Sequence, residues 1–161
     1  FLYGEKYSVF DVMRLCGWPA EQVPQNVGGY KLDTESGSLP IFIKYEASQY
    51  GDRFLNPGEI EWFSKNNRSL KSNEFRWLLD GTERTPEWQN RHFVPIFIRR
   101  KAEEQEKSYY FVGSAVALDN VRASVNPGED GSESKVVIST LKLDKPVDPE
   151  LYRHLTGKSA L

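Results

Sequence analysis

The sequence predicts a single α+β domain, mostly β, in which a curved sheet or barrel is flanked by a helix near each end of the chain. Its 161 residues fit the length of one domain. About six short segments alternate apolar and polar residues with the period of a β-strand. Apolar residues at helical spacing occur only towards the two ends. Together these patterns favour a compact sheet over a helical core.

The two predicted helices have recognisable ends. The first covers residues 9–16, where Ser8 is a favourable N-cap and a glycine follows the last turn. The second begins near Pro149 with Asp148 as its cap, and it ends at Gly157. Both helices should pack one apolar face against the sheet.

The strands follow from alternation and from the turn residues between them. The predicted strands cover residues 30–33, 39–45, 59–64, 93–99, 108–118 and 135–143. The first two are expected to form a hairpin with a four-residue loop. Residues 81–91, which include Trp88, are expected to be a long loop with a candidate functional role. Residues 126–134 are expected to be a disordered loop.

Charge is segregated along the chain although the net charge is only −2. Between residues 64 and 76 four basic residues accompany one acid, and residues 99–101 form a second basic cluster. Acidic residues gather at positions 103–106 and 129–133. This distribution fits either an anion-binding surface or ordinary solvated faces, and charge alone does not separate the two.

Catalytic and metal-binding patterns are scarce. Cys16 lies on the apolar side of its predicted helix, where a thiol is inert, and the two histidines are far apart in the sequence. An E-x-K pattern at residues 133–135 falls at the edge of the predicted disordered loop, which cannot hold a metal rigidly. We therefore expect a domain without catalysis, metal or cofactor. A single cysteine, no secretory leader and no membrane-spanning apolar run favour the cytoplasm.

The centre of the chain mixes the side chains that suit nucleic-acid binding. Residues 45–54 and 60–69 interleave aromatic rings, amides, hydroxyls and cations. Such a mixture can stack a base, bond to its edge and hold phosphates. The alternative is that the rings are core residues and the polar groups lie in turns.

This segment resembles the C-terminal domain of SauUSI-type type IV restriction enzymes, modification-dependent bacterial proteins that join a phospholipase-D-type nuclease to a helicase-like ATPase. The resemblance spans residues 7–155 and rests on the segments at residues 27–30, 50–54, 62–66, 68–69, 96–99, 110–113 and 140–143. Lys65 departs from the pattern, since the family favours glutamine there. A phosphate contact could replace an amide contact at that position.

The resemblance implies an SRA-like or PUA-like fold that flips one modified cytosine, most simply 5-methylcytosine, out of double-stranded DNA. Chain 1–161 would then be the C-terminal recognition domain that targets the nuclease and ATPase of the same polypeptide. The implied base pocket comprises Tyr45, Tyr50, Asp52, Phe54, Trp62 and Ser64. The implied backbone contacts are Lys65, Asn67, Arg68, Ser69, Lys71, Arg99 and Arg100.

Two other functions fit the sequence. One is a protein-interaction module that docks the nuclease and ATPase parts. The other is an RNA-binding PUA-like domain, in which 2′-hydroxyl contacts would matter.

Overall fold

A computed structural model describes residues 1–19, 27–46, 51–80, 86–103, 105–128 and 130–159. The strands are β1 (Lys6–Ser8), β2 (Ile41–Tyr45), β3 (Arg53–Asn56), β4 (Glu59–Phe63), β5 (Pro95–Arg100), β6 (Ser108–Pro127) and β7 (Glu133–Leu143). The helices are α1 (Val9–Leu15), α2 (Asn73–Leu78), α3 (Pro86–Arg91) and α4 (Pro149–Thr156). The expected mostly β architecture is confirmed.

A curled half-barrel sheet forms the body of the domain. Its strand order is β2-β5-β6-β7-β4-β3, with β1 paired to β6 beside this path. β6 is the spine, because its first half pairs with β1 and β5 and its second half pairs with β7. Register shifts in β6 at Ala115/Ala117 and Asp119/Arg122 mark irregularities of the kind that bend a strand. The sheet is mixed, since β2 and β5 run parallel and the other pairs are antiparallel.

Alternation along β5 divides the apolar interior into two clusters. Ile96 and Ile98 point into the larger one, which lies on the side of α2 and α4. Phe97 points to the opposite side, where Phe42 stacks on it and α1 covers both. Because both faces of β5 are covered, its first four residues are apolar, as in fully buried parallel strands.

The predicted terminal helices are confirmed together with their caps. In α1 the Ser8 hydroxyl accepts a hydrogen bond from the Asp11 amide, and the Asp11 carboxylate accepts one from the Ser8 amide. In α4 the Asp148 carboxylate caps the first turn, and Gly157 ends the helix with a φ of 73°. Each cap satisfies backbone groups that a helix end leaves without partners.

Some elements differ from the sequence prediction. Only isolated bridges, Tyr30–Ile41 and Asp33–Ser38, form the expected hairpin, because β2 pairs chiefly with β5. The strand β3 and the short helix α2 were not predicted. Both are too short for a periodic pattern to be detected in the sequence. Packing against the rest of the domain stabilises them.

Two predicted loops are corrected in the part of the chain that the structure describes. Residues 86–91 form α3, and Trp88 is fully buried with its indole N–H donating to the Leu78 carbonyl. The Trp88 side chain therefore belongs to the core. Residues 126–127 and 133–134 extend β6 and β7, and a Gly128–Ser132 hydrogen bond closes the turn between them. Backbone pairing between β6 and β7 keeps this hairpin ordered although its sequence is polar.

Candidate nucleic-acid interface

An open groove of about 1020 Å³ is lined by several cations. We call it the basic groove. It is lined by Tyr30, Lys31, Leu32, Thr34, Lys65, Asn67, Arg68, Lys71, Ser72, Asn73, Glu74, Arg76, Trp77 and Asp80. Five of these residues carry positive charge and two carry negative charge. One of the two carboxylates, Asp80, already pairs with Arg91 outside the groove.

Residues 64–68, which follow β4, run along the edge of β7 and form one wall of the basic groove. The Ser64 amide donates to the Val137 carbonyl at 2.9 Å, and the Arg68 amide donates to the Lys135 carbonyl at 3.2 Å. Ser64 is buried, and its hydroxyl accepts from the Val137 amide. Between these attachments Asn67 adopts a φ of 61°, which asparagine tolerates better than most residues.

A buried carboxylate organises the groove floor. Glu74 Oε2 accepts a hydrogen bond from the Tyr30 hydroxyl at 2.8 Å and one from Arg68 Nε at 3.0 Å. The same hydroxyl accepts from the Lys65 amide at 3.0 Å, and burial raises the pKa of Tyr30. The chain of bonds ties three separate segments together and holds the Arg68 guanidinium at one position.

Lys65 also has a fixed position beside Tyr30. Its ammonium donates to the Val27 carbonyl at 3.1 Å and lies 4.8 Å from the centre of the Tyr30 ring. Burial lowers the pKa of Lys65, and the positive charges of Arg68 and Lys31 act in the same direction. An anion bound in the groove would relieve this repulsion.

The rim cations are freer. Lys71 and Arg76 are exposed, and the turn that carries Lys71 is fixed by its amide donating to the Ser69 hydroxyl. The Ser69 amide in turn donates to the Ser72 hydroxyl at 2.9 Å. Ser69 thus shapes the turn that carries the cations.

Asp52 lies beside this segment without lining the groove. Its Oδ1 atom accepts a hydrogen bond from the Phe63 amide at 2.8 Å, two residues before Lys65. Burial raises the pKa of Asp52 to about 6, against the lowering effect of that hydrogen bond. No cation of the described residues forms an ion pair with Asp52. The fold therefore keeps a carboxylate that is costly to ionise.

The predicted aromatic pocket is closed in this structure. Trp62 is 1% exposed and packs against Tyr30 and Phe75. Phe54 packs between Tyr45 and Tyr152, and the Tyr45 hydroxyl accepts a bond from the Phe54 amide. The rings of Tyr45, Phe54 and Trp62 are therefore core residues in this structure. Tyr50 lies outside the described residues.

The second basic cluster is separate from the groove. Arg99 is buried, donates to the Glu106 carbonyl and lies 4.9 Å from the Tyr109 ring centre. Arg100 pairs with Glu103 at 2.8 Å and lines different cavities beside α4. The structure thus does not bring the two halves of the predicted backbone-binding set together.

Lys31 and the floor residues Tyr30, Glu74 and Trp77 were missing from the sequence prediction of the site. Lys31 and Tyr30 lie more than 30 positions before Lys65, and tertiary packing alone brings them there. The signal for Glu74 was present, since it is the one acid within the basic segment.

Neither metal sites nor membrane spans are found in the described ranges. No group of three or more His, Cys, Asp or Glu side chains there could hold a metal ion. Among the helices of those same ranges, none has the length and apolar character needed to cross a bilayer.

Comparison with solved structures gives distant similarities. The chain is 15% identical to a structure of the sulfur-binding and SRA domains of ScoMcrA with phosphorothioated DNA, at a TM-score of 0.47, covering 98% of this chain and 47% of that one. It is 12% identical to the SUVH5 SRA domain in a complex with hemimethylated CG DNA, at a TM-score of 0.47 and 92% coverage of both chains. It is 15% identical to the phosphorothioation-dependent type IV restriction endonuclease ScoMcrA, at a TM-score of 0.43, covering 98% of this chain and 30% of that one.

The chain spans about half the length of the first of these structures. No curated protein matches the sequence. A family model described as a domain of unknown function, DUF3427, matches residues 1–155, which is nearly the whole chain. This chain therefore belongs to the DUF3427 family.

Proposed function

We propose that this domain binds double-stranded DNA through the basic groove and that Asp52 contacts the edge of a flipped, modified cytosine. The observation that carries the proposal is the convergence of five cations from separate parts of the chain on one open surface. Elsewhere in the described chain several opposite charges form ion pairs, as in Arg53–Glu61 and Arg100–Glu103.

The groove supplies two kinds of phosphate contact. Arg68 and Lys65 are held by Glu74, Tyr30 and the Val27 carbonyl, so little side-chain entropy is lost when they meet an anion. Lys71 and Arg76 on the rim can adjust to the backbone path. Contacts of this type set affinity and register but carry no information about the base.

Base recognition needs a group that can meet an exposed nucleobase edge. A cytosine presents its N4 amino group as a donor, and a carboxylate is a suitable acceptor. Asp52 fits this role because burial raises its pKa and makes its ionisation costly in free energy. Side chains with perturbed pKa values cluster at functional sites. One of its two oxygens is occupied by the Phe63 amide.

The modification dependence comes from the resemblance to type IV restriction enzymes. A flipped 5-methylcytosine would place its methyl group against an aromatic wall. Tyr45, Phe54 and Trp62 are buried core rings, so Tyr50 is the candidate that we propose for this wall. Flipping costs a few kcal/mol of stacking and pairing, which stacking and edge hydrogen bonds can offset. In the parent protein such a domain would direct the linked nuclease and ATPase to modified sites.

An electrophoretic mobility shift on matched methylated, unmethylated and RNA duplexes tests the proposal. We expect binding to both DNA duplexes with preference for the methylated one. Arg68→Ala should weaken both, while Arg14→Ala, an exposed arginine on α1, is the matched control. Preference for RNA, or no binding to any duplex, would overturn the proposal, and the latter would favour the protein-docking alternative.

A further inference from the structure

Trp77 differs from the other tryptophans of the chain because the fold leaves it partly exposed. Trp18, Trp62 and Trp88 are at most 8% exposed and lie in the core. Trp77 is half-buried, and it lines the basic groove. Phosphate contacts need charge and hydrogen-bond donors but no aromatic ring. The presence of an accessible indole among the groove cations therefore indicates a second kind of contact.

Packing holds the Trp77 ring from one side. The indole packs against the larger apolar cluster, and its centre lies 4.6 Å from the centre of the His92 ring. His92 in turn stacks on the buried ring of Trp88, with the two planes 12° apart. Three rings in contact keep the indole in place. Little side-chain freedom is therefore lost when a ligand covers its accessible side.

The basic groove is apolar as well as cationic. Leu32 is half-buried, packs against the same apolar cluster as Trp77 and also lines the groove. Lys65 and Arg68 line it too, and their side chains are held by the Val27 carbonyl and the Glu74 carboxylate. A ligand that matches both kinds of surface carries a flat ring and a negative charge, as a nucleotide does. At about 1020 Å³ the groove is at the upper end of the sizes found for small-ligand pockets, so a nucleotide fits within it.

We infer that Trp77 stacks on an unpaired nucleobase of a DNA strand whose phosphates lie in the basic groove. The bases of an intact duplex stack on one another and offer no free face to a side chain. The groove therefore engages DNA where a base is out of the duplex stack. Because every base has a flat face, this contact does not depend on cytosine modification. The inference rests on the proposed function, since it takes the ligand of the groove to be DNA.

Tryptophan fluorescence tests the contact directly, because a stacked base quenches the indole that it covers. The first probe is an unmodified single strand of about 12 thymidines, a length that single-strand-binding grooves can cover. The second is an abasic strand of the same length, which keeps the phosphates and lacks the bases. We expect the thymidine strand to bind more tightly and to quench the fluorescence. Saturating binding without quenching, or equal affinity for the two strands, would overturn the inference.

Substitutions separate stacking from a structural role. Trp77→Leu keeps an apolar side chain but removes the ring, so it should weaken binding of the thymidine strand by about 5-fold or more and leave binding of the abasic strand unchanged. Trp77→Phe keeps a ring, so it should retain most of the affinity while the quenching disappears. Phe10→Leu removes an exposed ring on α1 and is the matched control. If Trp77→Leu weakens both strands equally, Trp77 only shapes the groove and the stacking role is wrong.

Failure of this inference can be told apart from failure of the proposed function. A protein that binds the duplex but neither binds the thymidine strand nor is quenched by it lacks the stacking contact and keeps the proposed function. A protein that binds neither duplex nor strand contradicts the proposed function itself. Circular dichroism establishes that each variant is folded. Should Trp77→Leu fail to fold, Trp77→Phe and the comparison of the two strands still decide the question.

Discussion

The hydroxyl of Tyr30 donates a hydrogen bond to the carboxylate of Glu74 across 44 positions of sequence, at 2.8 Å. Arg68 Nε donates a hydrogen bond to the same oxygen atom. One buried oxygen atom thus fixes the relative position of the segment before β2, the segment after β4 and helix α2. The groove has its shape because these three segments cannot move independently.

Replacing Glu74 by glutamine should destabilise the domain. The glutamine amide keeps the size of the side chain but removes the negative charge that pairs with Arg68. A hydrogen bond to a charged group contributes about 1.5–3 kcal/mol to the free energy of unfolding. Urea unfolding measures the change. Glu133→Gln, at the exposed start of β7, is the matched control and should have no measurable effect. Equal stability of both variants would show that the floor network is not needed for folding.

DNA binding should depend steeply on salt despite the net charge of −2. If the cations of the groove make about four to five phosphate contacts, the slope of log affinity against log salt should be near −4, at roughly 0.9 per contact. Lys71→Ala should remove one phosphate contact and so reduce the magnitude of the slope by about 0.9. Arg100→Ala should leave it unchanged, because Arg100 pairs with Glu103 and lines other cavities. A flat response in the wild-type protein would mean that the groove is only solvated surface.

Asp52→Asn should stabilise the protein while removing its preference for methylated DNA. Because the folded state raises the pKa of Asp52 from 3.8 to about 6, it holds the proton more tightly than the unfolded chain does. Stability contributed by this group therefore falls as pH rises from about 4 to 6, and above that range the ionised side chain costs up to about 3 kcal/mol.

The asparagine oxygen can still accept from the Phe63 amide, so only the charge is lost. Thermal unfolding at pH 4 and pH 7.5 shows the change in stability, and competition between methylated and unmethylated duplexes shows the change in preference. A variant that is less stable at pH 7.5, or that keeps the preference, would contradict the assignment of Asp52.

Trp62 should contribute to stability and not to base recognition. Truncation of a fully buried tryptophan costs about 3–5 kcal/mol, so Trp62→Ala should unfold at markedly lower urea concentration. Trp62→Phe fills more of the space and should keep the preference for methylated DNA. Loss of that preference in a folded Trp62→Phe protein would show that the ring becomes accessible when DNA binds.

The local patterns predicted most of the secondary structure, because capping and alternation act over a few residues. Ser8, Asp148 and Gly157 have the expected capping roles, and alternation located β4, β5 and β7. The parallel pairing of β2 with β5 could not be predicted in this way. It joins segments about 50 residues apart and depends on how the whole sheet packs.

The candidate site was predicted only where it is local in sequence. The basic segment from Lys65 to Arg76 was visible as a charge cluster, whereas Lys31 joins it through the fold. The aromatic residues were harder to assign. An apolar ring on a strand with period two can point to the core or to a ligand, and in this structure Trp62 and Phe54 are buried in the core.

The parallel pairing of β2 and β5 has a consequence for how the domain folds. The chain leaves β2 at Tyr45 and returns to β5 at Pro95, so this one connection contains β3, β4, α2, α3 and every groove cation except Lys31. Closing so long a connection costs chain entropy before the pairing can compensate, which slows folding of topologies rich in distant contacts. The groove should therefore form late, and a refolding protein should regain the local β6–β7 hairpin before it regains the ability to hold a polyanion.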